Sequence, residues 1–311
     1  MPHYLHITKK VVYIILFSVV FFACGNKCLA ADRNIVAIIK NKDLSYYNEM
    51  IDGFKAAVAA RKIAITCNEF VMGDGDINEK IKAAAPRMIY ALGSTTLKKI
   101  EQTVNNVAVV YSAAFAEGDD VLHGDNVTGA NFYVSVTDQC EKLKQIIPGI
   151  KTVGVIYNPD ANEKTIAMAG RKLSASGITL ALFPARTPAD IPHLENMSVD
   201  ALWLFPDPVV AQQTIVTRIL YTALIKKIPV IGISPSYVKA GAFMALTCDY
   251  RDVGKQAGEA AARILQGEKA SEIAVTTPRQ FKLYLNRSVA DKLQVSIPHY
   301  LISEASEVYG E

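Results

Sequence analysis

From residue 34 onward, short continuous apolar runs alternate with segments whose apolar residues recur at helical spacing. Few folds accept that pattern. A strand that is apolar at every position has both faces covered, as in a parallel sheet with helices on each side. The first such run is 35–39. Ser45 then stands where it can cap a helix in which Tyr47, Ile51, Phe54 and Val58 share one face. Runs at 63–66, 88–92 and 107–111 predict further strands, with helices over 77–84 and 96–104 between them. Together they make one parallel sheet of about four strands.

A second series follows Gly149. Strands are expected at 153–157, 178–183, 201–205 and 230–233. Helices are expected over 163–176, stopped by Gly177, and over 211–227, ended by Pro229. A helix over 252–266 with Gly267 as its stop, and a last strand over 281–285, complete the chain. Two βα series of similar size, with no linker-like stretch between them, predict an α/β fold of two lobes packed face to face.

The segment before this pattern has a different character. Lys9 and Lys10 precede an apolar run over 11–23, and small residues follow, which is the order of a secretory leader. The run is shorter than the roughly 20 residues a bilayer-spanning helix needs. Cys28-Leu29-Ala30 suits cleavage before Ala31, giving a signal peptide over 1–30. Phe21-Phe22-Ala23-Cys24 offers a weaker lipoprotein box, with a lipid anchor on Cys24 as the alternative. Either way the expected location is periplasmic or extracytoplasmic.

Cleavage changes the charge argument. The formal +3 comes from 33 basic and 30 acidic residues, and Lys9, Lys10 and Lys27 leave with the leader, so the remainder is neutral. A neutral body lacks the basic stripe that binding to nucleic acid requires. Cys67, Cys140 and Cys248 remain, far apart and without metal spacing, and read as part-buried thiols, a single disulfide being the alternative. No G-x-S-x-G, H-E-x-x-H, Walker loop or G-x-G-x-x-G marks an enzyme, and 73–76 reads as a turn rather than a calcium loop. No cofactor and no metal are expected.

Ligands of open parallel sheets bind beyond the carboxyl ends of the strands. That rule selects Asn41, Ser94, Thr95 and Ser112 in the first lobe, and Tyr157, Asn158, Asp207, Ser234 and Ser236 in the second. Ser94 and Thr95 stand where a strand hands over to a helix, so free backbone N–H groups there can seat an anion. Asp207 is placed to pair with an ammonium group, and Tyr157 to lay its ring on an apolar or aromatic ligand. Each has a structural alternative: Ser94 and Asp207 as helix caps, Tyr157 as core. Trp203, mid-strand, reads as core.

Six segments in order carry a resemblance: DNVTGANF at 125–132, VGVIYNPDAN at 153–162, DALWLFPDPVV at 200–210, GISPSYVKAGAFMAL at 232–246, DYRDVGKQAGEAAARILQG at 249–267 and FKLYLNRSVADKLQVSIP at 281–298. Together they resemble ABC-transporter substrate-binding proteins of the tryptophan/tyrosine-binding type, a branch of the type I periplasmic binding proteins. The resemblance implies two Rossmann-like lobes joined by three crossovers, near 129–132, 245–247 and 271–275. Lobe 1 would comprise 33–130 plus 247–270, and lobe 2 would comprise 133–245 plus 276–311. It implies a non-enzymatic monomer that holds a small organic ligand, an amino acid or aromatic compound, for an ABC permease in the inner membrane. A membrane sensor as receiver is the alternative. It also adds Asp249, near the hinge, to the ligand contacts. Where this family's amino-acid binders carry an acidic residue, the loop SPSYV offers only hydroxyls. An α-amino group would then rely on Asp207 or Asp249.

Overall fold

The computed structural model describes residues 34–104, 106–114, 125–193 and 196–310. The expected leader with Cys24 and Cys28, and His123, lie outside the described residues. Strand β1 (Asn34–Lys40) is buried over its last five positions, which are apolar except for the buried lysine that ends it. Helix α1 (Ser45–Ala60) follows, then β2 (Ile65–Val71), α2 (Ile77–Ala84), β3 (Met88–Leu92), α3 (Ser94–Thr103), β4 (Ala108–Ser112) and β5 (Val127–Ala130). These strands form one parallel sheet in the order β2-β1-β3-β4-β5. It has five strands rather than four. The addition, β5, is short and contains Gly129, where a Cβ would lie 2.5 Å from the Tyr111 carbonyl oxygen.

The chain then forms α4 (Val136–Ile146), β6 (Thr152–Tyr157), α5 (Pro159–Ala175), β7 (Thr179–Pro184), β8 (Ala201–Trp203), α6 (Gln213–Ile225), β9 (Val230–Gly232), α7 (Pro235–Lys239) and β10 (Met244–Cys248). Helix α8 (Tyr250–Leu265) packs on α1 and against β4 and β5. Strand β11 (Phe281–Asn286), α9 (Arg287–Leu293), α10 (His299–Glu304) and β12 (Glu307–Tyr309) complete the second sheet, ordered β12-β11-β10-β9-β8-β6-β7. Its pairs are parallel except β10 with β11. This is the two-sheet α/β architecture of type I periplasmic binding proteins.

The chain passes between the sheets at three places that lie side by side. Asn131 donates its N–H to the Thr276 carbonyl at 2.9 Å, and Thr276 returns one to Gly129 at 3.0 Å. Asp249 donates to the Gln280 carbonyl at 2.9 Å, one residue before β11 begins. Ion pairs brace the same region: Lys282 to Asp249 at 3.2 Å, and Arg279 to Asp252 at 3.1 Å and Glu259 at 3.2 Å. Helices α1 and α8 approach so closely that a Cβ on Gly254 would sit 2.0 Å from the Met50 carbonyl oxygen.

Several boundaries move from their expected positions. Helix α1 begins at Ser45 itself, with Leu44 as its N-cap and no side-chain cap, so Ser45 does not cap it. Helix α5 starts four residues earlier than expected, because Asn158 caps it and Pro159 occupies its first position. Strand β8 stops at Trp203 instead of 205.

Candidate functional site

A cavity of about 300 Å³ opens where the crossing segments meet the second sheet. The ends of β8 and β9 contribute Trp203, Leu204, Pro206, Ile233 and Ser234 to its wall, and β10 contributes Leu246, Thr247 and Cys248. The first crossing supplies Phe132, Tyr133 and Val134, and Gln139 projects from α4. Tyr46 of α1 and Tyr250, the first residue of α8, reach it from the side of the first sheet. Its position follows the strand-end rule: polar backbone ends and loop side chains can be presented there without breaking a ladder.

The wall is chemically uniform. Among the described residues that line it, five side chains are aromatic and none is Asp, Glu, Lys, Arg or His. The rings are held by one another. Tyr46 lies 5.1 Å from Tyr250 at an interplanar angle of 33°, and Trp203 meets Phe205 edge-on at 5.2 Å. Burial raises the phenol pKa of Tyr46 and of Tyr250, so both hydroxyls stay protonated in the working range. Burial likewise pushes the Cys248 thiol up to about 12, which makes it an inert apolar contact. The Gln139 side-chain amide donates one N–H to the Val134 carbonyl at 2.9 Å. The Ser234 hydroxyl lies 2.7 Å from that of Ser236. Such a wall takes a flat or apolar body and offers it a few hydroxyls.

Of the ten residues selected from the sequence, Ser234 lines this cavity. Ser94 and Thr95 are exposed on the first turn of α3 and border a separate shallow depression with Lys98, Lys99 and Gln102. Ser112 is fully buried at the end of β4, its carbonyl accepting from Gly93 at 3.0 Å. Asn41 accepts from the Tyr47 hydroxyl at 3.0 Å. Tyr157 is 4% exposed and donates its hydroxyl to Glu163 at 3.0 Å. Asn158 caps α5 through Asp160 at 3.0 Å.

The two carboxylates are committed elsewhere. Asp207 is 1% exposed and accepts from four donors: Asn158 N–H and the Asn162 amide at 2.7 Å each, Val209 N–H at 2.8 Å and Val210 N–H at 3.3 Å. These bonds tie the end of β6 to the loop after β8. Asp249 caps α8 through Asp252 N–H at 3.0 Å, and its pKa is lowered by that cap and by Lys282 against the opposing effect of burial, which is the largest of the three. Sequence reasoning missed Tyr46, Phe132, Tyr133 and Tyr250. They come from helix starts and crossing segments, which the strand-end rule does not reach. Among the described residues no cluster could hold a metal ion, and no helix is long and apolar enough to cross a membrane.

Comparison with known proteins agrees with this arrangement. The profile of the family described as ABC transporter substrate binding protein matches residues 37–309. A tyrosine-binding protein of Clostridioides difficile is 24% identical over 220 residues, a match covering 67% of this chain and 63% of that protein. An uncharacterized protein of Rickettsia prowazekii is 23% identical over 284 residues, covering 87% of this chain and 88% of that protein. Among solved structures, the ligand-free, open form of a substrate binding protein with adhesive properties from Clostridium difficile superposes with a TM-score of 0.74 at 21% identity. It covers 89% of this chain and all of that one. An ABC domain in complex with L-Trp from Streptococcus pneumoniae superposes with a TM-score of 0.67 at 18% identity, with the same coverage.

Proposed function

Because the chain belongs to the ABC transporter substrate-binding protein family, we propose that it is exported, captures a small organic ligand with an aromatic or flat apolar body, and delivers it to an ABC importer. The single observation that carries the ligand class is the cavity wall where the crossings meet the second sheet, whose described residues include five aromatic side chains and none that is charged. The binding of tyrosine by one relative and of L-Trp by a protein of the same fold supports it. The leader read at 1–30 supports export.

The mechanism is lobe closure. Lobe 1 is 33–130 plus 249–270, since Thr247 and Cys248 end β10 of the second sheet, and lobe 2 is 133–248 plus 276–311, the two rotating about the three adjacent crossings. A ligand seated in the cavity stabilises the closed arrangement because only there do both lobes touch it. Ser94 and Thr95, at the start of α3, then come to a polar or anionic group of the ligand. Capture alone is required of the protein, and the bound molecule leaves unchanged.

The test is a thermal-shift panel on protein refolded to strip carried-over solute. A ligand at a hundred times its Kd stabilises the native state by about 2.7 kcal/mol. Aromatic metabolites should raise the melting temperature. A panel in which only sugars or inorganic ions do so overturns the reading.

A further inference from the structure

We infer that Tyr46 is the specificity-determining residue of this cavity, the ring that distinguishes an aromatic ligand from an aliphatic one of equal size. The inference rests on the aromatic-ligand reading above and adds to it the residue responsible. Of the five aromatic side chains in the wall, Trp203 is 2% exposed, fixed within β8 and turned edge-on to Phe205. Phe132 and Tyr133 belong to the first crossing, and Tyr250 opens α8 immediately after the second. Tyr46 alone among them stands on a helix distant from the crossings in sequence, packed on the first sheet's side and half-buried.

The ring is positioned from both directions. Tyr250 backs it at 5.1 Å, and Tyr47 meets it edge-on at 4.8 Å. Tyr47 is itself locked: it is 2% exposed and its hydroxyl donates to Asn41, in the loop that follows β1. Gly93, with φ of +94°, leaves room for that hydroxyl, since a Cβ there would lie 2.6 Å from it. Two strand-end loops of the first sheet therefore set the angle at which Tyr46 enters the cavity wall. A pre-set ring costs little ordering when a ligand arrives, and its quadrupole favours a stacked or edge-on aromatic partner over a saturated ring.

Titration calorimetry with matched pairs tests this: 3-phenylpropionate against 3-cyclohexylpropionate, and L-phenylalanine against cyclohexyl-L-alanine. Each pair shares its polar end and differs only in ring character. The parent protein should prefer the aromatic member of a pair that binds by about 2- to 10-fold, the size of a ring–ring contribution beyond area. Tyr46→Phe should keep that preference. Tyr46→Leu should bring the two members within about twofold, with near-parental melting; Tyr46→Met serves if the Leu variant does not fold. A non-aromatic variant that keeps the full preference, or a parent without any, overturns the assignment and leaves the binding reading standing. Failure of all four compounds to bind the parent overturns the aromatic reading and the assignment together.

Discussion

Replacing Asp207 by Asn separates two accounts of a buried carboxylate. If it awaited a ligand's ammonium group, the substitution would weaken binding and leave folding alone. The hydrogen bonds say otherwise. Oδ2 accepts from Asn158 N–H and from the Asn162 amide, both at 2.7 Å, and Oδ1 accepts from Val209 N–H at 2.8 Å. In the Asn variant one oxygen still serves Val209, but an NH2 faces two donors. Hydrogen bonds to a charged acceptor contribute about 1.5–3 kcal/mol each, and a buried N–H left unpaired costs about 1–3 kcal/mol. Losing two such bonds should cost roughly 3–5 kcal/mol. A chain of this size shifts its melting temperature by about 2–4 °C per kcal/mol, so a fall of about 10 °C is expected. Differential scanning calorimetry without ligand reads it directly, and Asp207→Ala should fall at least as far. Both variants melting within about 2 °C of the parent, while losing ligand affinity, would refute the argument and return Asp207 to the ligand.

Gly254→Ala forces a methyl onto the Met50 carbonyl oxygen, backbone against backbone, so no rotamer relieves it. A loss of about 3 kcal/mol or more in urea unfolding is expected, at the upper end for overpacking, and a loss under about 1 kcal/mol would show that α1 and α8 are not held that close. Stability should also decline in alkali. Burial raises the thiols of Cys140 and Cys248 from an ordinary 9.0 to about 12. The folded state therefore holds these protons longer than the unfolded chain does. Their contribution is complete below about pH 9 and is lost as pH rises toward 12, at about 1.4 kcal/mol per unit for each thiol. Urea midpoints at pH 8 and pH 10 should show the drop, and Cys140→Ala with Cys248→Ala should make it shallower; an equal drop in the double variant would count against it.

The sheets were legible in the sequence where a run was long, apolar and bounded. Strand β3 occupies the expected 88–92, between Pro86 and Gly93, and α2 occupies the expected 77–84 behind the Asp76 cap. Strand β5 escaped because Gly129, required by the close approach of Tyr111, breaks a run of only four residues. Helix α4 was readable in principle. Val136, Cys140, Leu143 and Ile146 share a face, and Ser135 accepts from Asp138 N–H as a cap. The site was less accessible. Strand ends pointed to Ser234, but Asn158 and Asn162 claim Asp207 from more than 40 residues away, and no local pattern carries that competition. Trp203 is core, as read, and its ring also walls the cavity, because β8 ends where the cavity begins.

Capture by closure requires the two halves to come together around a ligand. Nitroxide labels at Lys98→Cys on α3 and Lys164→Cys on α5, both exposed, in a Cys67→Ser background, place one label on each lobe. Double electron–electron resonance should show their separation shorten by several ångströms when a compound that raises the melting temperature is added to stripped protein. A distance distribution unchanged at saturating ligand would contradict capture by closure.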